Sequence, residues 1–202
     1  MEQVCIFIDG SNFYHALKEA NLPTNVDFGK LANALVGPGR KHMQTFYYNT
    51  PLIRPRPSDP DFSAREQRYR NQQKFFSALR FVPNMTVKYG RFQKSRRSGV
   101  EVVCPSCSNR FRLADTTRTV EKGVDVMLAT DLLVHGMKGH YGTAILISSD
   151  ADYKHAVETV KLEFGKTIEL QQVEGSRCYD LITASSVYIP ITEATIRMCL
   201  TT

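Results

Sequence analysis

No stretch of this 202-residue chain is long and apolar enough to span a bilayer, and it does not open with a basic segment followed by an apolar one. Those absences point to a soluble, cytoplasmic protein with no membrane partner. Cysteine is scarce, and an odd count of five without a secretory signal argues against a disulfide framework. Tryptophan is absent, which excludes nothing. No G-x-G-x-x-G follows the first apolar run, so a dinucleotide site is disfavoured. There is no internal repeat and no low-complexity tract.

What is present suits one α/β domain over 1–202. Hydrophobic residues make up 42% of the chain, enough for a sizeable core. Short β-branched runs alternate with helical patterns. Strands are expected over 3–8, 43–49, 86–89, 143–149, 167–171 and 187–189. Helices are expected over 11–20, 28–36, 63–81, 121–135, 153–164, 179–184 and 193–200. Such alternation implies a parallel sheet with right-handed crossovers. Between 90 and 119 the pattern changes to a basic segment short of long apolar runs, read as an inserted hairpin or loop.

Lys and Arg number 26 against 20 Asp and Glu, a net charge of +6. Basic residues gather around Arg54 and Arg56 in a proline-rich loop, along 65–74, and at Arg96 and Arg97. This excess fits a polyanion whose phosphates carry most of the affinity. Arg96, Arg97, Arg110 and Arg112 with Phe111 interleave charge and aromatic surface, as single-stranded nucleic acid requires.

The acids are placed more tellingly than the bases. Asp9 ends the apolar run Val4–Ile8, and Asp150 and Asp152 end Ala144–Ser149. Asp125 falls in the first turn of a helix, after Lys122-Gly123-Val124. In a parallel sheet, strand C-termini and helix N-termini share one edge, where ligands bind. Each acid singly could be a helix cap or a dipole partner. Convergence of several on one edge is not a capping requirement. It calls for a cation, and Mg²⁺ or Mn²⁺ suits oxygen ligands and a phosphate substrate. Asn12 could orient a water or hold a phosphate oxygen, and Ser149 offers a hydroxyl. Asp131 lies about 120° around its helix from Asp125, so it needs a separate partner.

Three segments carry a family resemblance: Phe7-Ile8-Asp9-Gly10-Ser11-Asn12-Phe13, Lys122-Gly123-Val124-Asp125-Val126 and Ser148-Ser149-Asp150-Ala151-Asp152-Tyr153. In order and spacing they resemble the NYN domain, in its LabA-like branch, within the PIN-like nuclease group. The resemblance implies a three-layer α/β/α sandwich around a mostly parallel sheet. It also implies a metal-dependent ribonuclease with Asp9, Asp125, Asp150 and Asp152 as metal ligands and Asn12 beside them. An Asp that many relatives carry before a late strand is replaced here by Ala184-Ser185-Ser186.

The expected activity is endonucleolytic cleavage of single-stranded or flexible RNA, with Arg54, Arg56, Arg96, Arg97 and Ser149 on the substrate. The alternative is a non-catalytic module that binds RNA or protein on the same fold. A phosphohydrolase of the haloacid-dehalogenase type is disfavoured, because position 11 is Ser rather than a second Asp. Cys104-Pro105-Ser106-Cys107 supplies one knuckle of a structural zinc site, which needs two. The missing ligands could come from His42, His135 or His140, or from a second copy in a homodimer. Two free thiols in a tight turn are the plainer reading. A thioredoxin-like role is disfavoured, since the pair does not join a strand to a helix.

Overall fold

The computed structural model describes residues 1–97, 101–112 and 116–201. Its centre is a six-stranded parallel sheet in the order β10-β9-β8-β1-β2-β3. The strands are β1 (Glu2–Asp9), β2 (Arg40–Asn49), β3 (Met85–Tyr89), β8 (Thr143–Ile147), β9 (Thr167–Val173) and β10 (Val187–Ile191). Chain order runs outward from β1 in both directions. The boundary between β1 and β8 is therefore a topological switch point, where crevices open at strand C-termini.

Strand periodicity sorts β1 into two cores. Val4, Ile6 and Ile8 face one layer, formed by α1 (Gly10–Glu19), α2 (Phe28–Val36), α3 (Phe62–Leu79) and α7 (Glu193–Met198). Cys5 and Phe7 face the other, formed by α4 (Val124–Met137), α5 (Lys154–Leu162) and α6 (Tyr179–Ala184). All of Val4 to Ile8 are at most 2% exposed, as a strand covered on both faces must be. The result is an α/β/α sandwich, the fold class that the alternating pattern implies.

The segment after β3 forms an antiparallel ribbon rather than a simple loop. β4 (Arg91–Arg97) pairs with β7 (Thr116–Lys122), and a shorter hairpin joins β5 (Glu101–Val103) to β6 (Arg110–Arg112). One sequence expectation fails here. Helix α4 begins at Val124, not at 121, because Thr116–Lys122 completes the ribbon and Gly123 breaks it at φ 93°. The β-branched run Thr116, Thr117, Thr119, Val120 was the available signal.

Local chemistry fixes the ends of the helices. The Asp27 carboxylate accepts from the N–H groups of Gly29 and Lys30 and caps α2. Asp9 caps α1 by accepting from the Asn12 N–H at 3.0 Å. Between Asp9 and that helix stands Gly10, packed directly against the Tyr47 ring of β2, so that a Cβ there would overlap the ring. Gly10→Ala is accordingly expected to displace a buried aromatic and destabilise the fold by about 1–3 kcal/mol. A lowered urea midpoint with an unchanged slope is the measurement that checks it.

Candidate functional site

Above the switch point lies a cavity of about 340 Å³, lined by Asp9, Ser11, Asn12, His15, Glu121, Lys122, Gly123, Val124, Asp125 and Asp150. Three different elements deliver its carboxylates. Asp9 closes β1, Asp125 sits in the first turn of α4, and Asp150 follows β8. The parallel topology thus brings together three of the four acids singled out in the sequence, with Asn12. Asp152 is exposed and does not line the cavity; it lies within the short 3₁₀ turn Ala151–Tyr153, where its backbone N–H donates to Asp150 Oδ1 at 3.0 Å.

Asp9 is the most constrained of these groups, at 5% exposed. Burial pushes its carboxyl up from 3.8 to about 6, helped by Asp125 and Asp150 and opposed by the Asn12 N–H and the Tyr153 hydroxyl. Tyr153, itself buried, directs its hydroxyl at Asp9 Oδ2 and Asp125 Oδ1, both 3.2 Å away. One phenolic proton is therefore shared between two carboxylates. The same burial and the same two acids raise the Tyr153 pKa, so the phenol stays a donor.

The loop after β8 is tied from below. Buried Gln172 donates to the Ser148 carbonyl at 3.0 Å, and Ser148 Oγ accepts from the Asp150 N–H at 3.1 Å. Asn12 Oδ1 accepts from the Ser149 N–H at 2.9 Å, joining α1 to that loop and leaving the Asn12 amide N–H groups as donors. Ser149 Oγ donates to the Ser176 carbonyl at 2.6 Å, so its hydroxyl holds a neighbouring loop. Among the described residues, no three His, Cys, Asp or Glu lie close enough to grip a metal ion by direct ligation alone. Asp9, Asp125 and Asp150 share a cavity with the Tyr153 hydroxyl between the first two.

Asp131 finds its partners elsewhere. Its Oδ2 accepts from Tyr48 Oη and from Lys88 Nζ, each at 2.7 Å, so it serves the packing of α4 on β2 and β3.

The predicted substrate arginines divide. Arg54 and Arg56 are exposed on the proline-rich loop, Arg54 lying 3.7 Å from Glu66. Arg96 and Arg97 belong to β4, but their side chains lie outside the described residues. A second groove of about 250 Å³, formed by Leu52, Ile53, Arg65, Arg68, Phe92 and Thr119, escaped the sequence reading. So did His15, Glu121, Lys122 and Tyr153. His15 lies three residues after Asn12 on one helix face, Lys122 precedes the Gly123-Val124-Asp125 turn, and Tyr153 follows Asp152; these spacings were the available signals.

Holding Asp9 at about 6 rather than 3.8 favours the protonated folded chain by roughly 3 kcal/mol. The folded state binds the extra proton, so this contribution is complete below 3.8 and is lost as pH rises through about 6. Asp9→Asn keeps the cap and removes the charge. It is expected to exceed wild type in stability at pH 8, with the gap closing near pH 4, as read by denaturant unfolding at both values.

The NYN domain family model matches residues 3–192. No protein of curated function matches the chain. Among solved structures, a protein of unknown function from Vibrio parahaemolyticus is similar at 18% identity and a TM-score of 0.59, over 94% of this chain and 93% of that one. At that identity the likeness is one of fold. No helix among the described residues is long and apolar enough to cross a membrane. With its family model spanning nearly all of the sheet and every wall of the cavity, the chain belongs to the NYN domain family.

Proposed function

We propose that this protein is a divalent-metal-dependent endoribonuclease acting on single-stranded or flexible RNA, of the LabA-like branch of its family. The observation that carries the proposal is the delivery of Asp9, Asp125 and Asp150 by three separate elements to one cavity at the switch point. Hard divalent ions keep several waters and bind through one or two carboxylates plus a substrate phosphate. An all-oxygen set whose central acid is pushed up to about 6 by burial and by its neighbours' charge fits such an ion. Asp9, Asp125 and Asp150 would hold Mg²⁺ or Mn²⁺, with remaining positions filled by water. Bound there, the ion supplies an activated water and neutralises charge on the phosphodiester.

The chain's own residues do the rest. Tyr153 holds Asp9 and Asp125 in fixed orientation through its shared proton. Asn12, His15 and Lys122 line the cavity, and an amide and an ammonium there suit phosphate oxygens. The β4–β7 ribbon connects this cavity to the second groove, since Glu121 lines the first and its ladder partner Phe92 the second. Leu52, Ile53 and Phe92 offer apolar surface for a base, with Arg65 and Arg68 beside them for the backbone. The exposed Arg54 and Arg56 extend that basic surface, and Arg96 and Arg97 are assigned to the RNA backbone in this reading.

One observation favours the second reading, a non-catalytic binding module: the direct-ligand cluster expected of the acids is not closed among the described residues.

A fluorescent single-stranded RNA incubated with Mn²⁺ separates the two. Wild type is expected to cleave it, with losses of at least about 100-fold in Asp9→Asn, Asp125→Asn and Asp150→Asn, since a metal ion at the reacting phosphate contributes several kcal/mol. Asp152→Asn, which leaves the cavity lining intact, is expected to keep most of the activity. Mn²⁺ at pH 8 is also expected to raise the unfolding midpoint of wild type but not of Asp9→Asn. No cleavage by folded wild type, together with a metal affinity that Asp9→Asn leaves unchanged, would overturn the proposal.

A further inference from the structure

The tip of the β5–β6 hairpin carries two thiols that the proposed ribonuclease site does not use. Cys104-Pro105-Ser106-Cys107-Ser108-Asn109 closes on itself there. The Cys104 N–H donates to the Asn109 carbonyl, and the Ser108 N–H to the Cys104 carbonyl, both at 2.9 Å. Ser108 takes a left-handed conformation at φ 55°, turning the chain back directly after the second cysteine.

Burial does not explain the pair. Cys5 and Cys199 are buried core thiols, whereas Cys107 is exposed and Cys104 only half-buried. No residue of the hairpin belongs to either hydrophobic core. Two strands of three residues each are marginal without packing or a staple. The pair therefore sits where a staple is needed. A redox role suits it less, because the turn joins two strands rather than a strand to a helix N-terminus.

Ligand number settles what kind of staple. Structural zinc takes four ligands, and one such turn supplies two. Among the described residues no third His, Cys, Asp or Glu completes the set. His135 and His140 are engaged with one another, Nδ1 to Nδ1 at 2.9 Å, and His42 with Thr45 at 2.8 Å. A second copy of the same turn, related by a twofold axis, completes the count and gives a self-complementary contact. The hairpin's surface suits that role. Val102, Val103 and Phe111 are 44%, 52% and 54% exposed, apolar area that a second hairpin would cover. Four thiolates around Zn²⁺ leave a net charge of −2, and β6 carries Arg110, 3.9 Å from Glu101, and Arg112 in each hairpin.

We propose that Cys104 and Cys107 of two chains together bind one zinc ion, joining two copies of the protein through their hairpins. Each thiol releases its proton to solvent as its sulfur binds, and nothing is oxidised. The test is native mass spectrometry and elemental analysis of the full chain, purified under reducing conditions and supplied with zinc. Expected are a dimer and one zinc per two chains. Cys104→Ser/Cys107→Ser is expected to be monomeric and free of that zinc, with the unfolding midpoint of the α/β core unchanged. Asp9→Asn is expected to keep both zinc and dimer, which separates this site from the acidic cavity. One zinc per monomer, no zinc in the wild type, or a dimer that survives loss of both cysteines would overturn it.

Discussion

Asp9 ends the central strand of the sheet, where both faces are covered, and its carboxylate has almost no contact with water. Two further carboxylates share its cavity, and a single phenolic proton stands between Asp9 and Asp125. Like charges in so little solvent repel strongly, and the protein retains them only because the sheet and its flanking helices over-determine their positions. Much of the surrounding architecture follows from holding that arrangement. Gln172 and Ser148 fix the backbone of Asp150, Asn12 ties α1 to the same loop, and Gly10 lets α1 leave β1 tight against Tyr47.

Much of this frame was legible in the sequence for physical reasons. Doubly covered strands read as continuous apolar runs, which located β1 and β8 and with them Asp9 and Asp150. The α2 boundaries were readable because Asp27 is a strong cap and Gly37-Pro38-Gly39 cannot continue a helix. Asp125 was placed by the helical pattern that opens at Lys122-Gly123-Val124. The ribbon was harder, since its strands are polar on both sides and their pairing joins residues far apart along the chain.

The site itself was legible in kind more than in detail. Asp152 was grouped with the other acids, and it lies inside the 3₁₀ turn that Asp150 caps, exposed and outside the cavity lining. Tyr153 read as an ordinary first residue of a helix, and only the packing of α4 against the loop before α5 reveals its hydroxyl between two acids. Asp131 shows the reverse. Its helical phase alone separated it from Asp125, and the partner it needed is supplied by Tyr48 and Lys88.

The sheet order has a consequence for the birth of the cavity. Tyr153 and Asp9, which share a proton, are 144 positions apart along the chain, and Ser149 and Asn12 are 137 apart. β1 cannot gain its β8 neighbour until the chain has been synthesised past Ile147. Closing so long a loop is among the slow events of folding. The acidic cavity therefore forms only once β8 has been made, and a nascent or truncated chain lacking β8 carries Asp9 and Asp125 without Asp150 and Tyr153. Whatever chemistry the cavity performs is withheld until the fold is nearly complete.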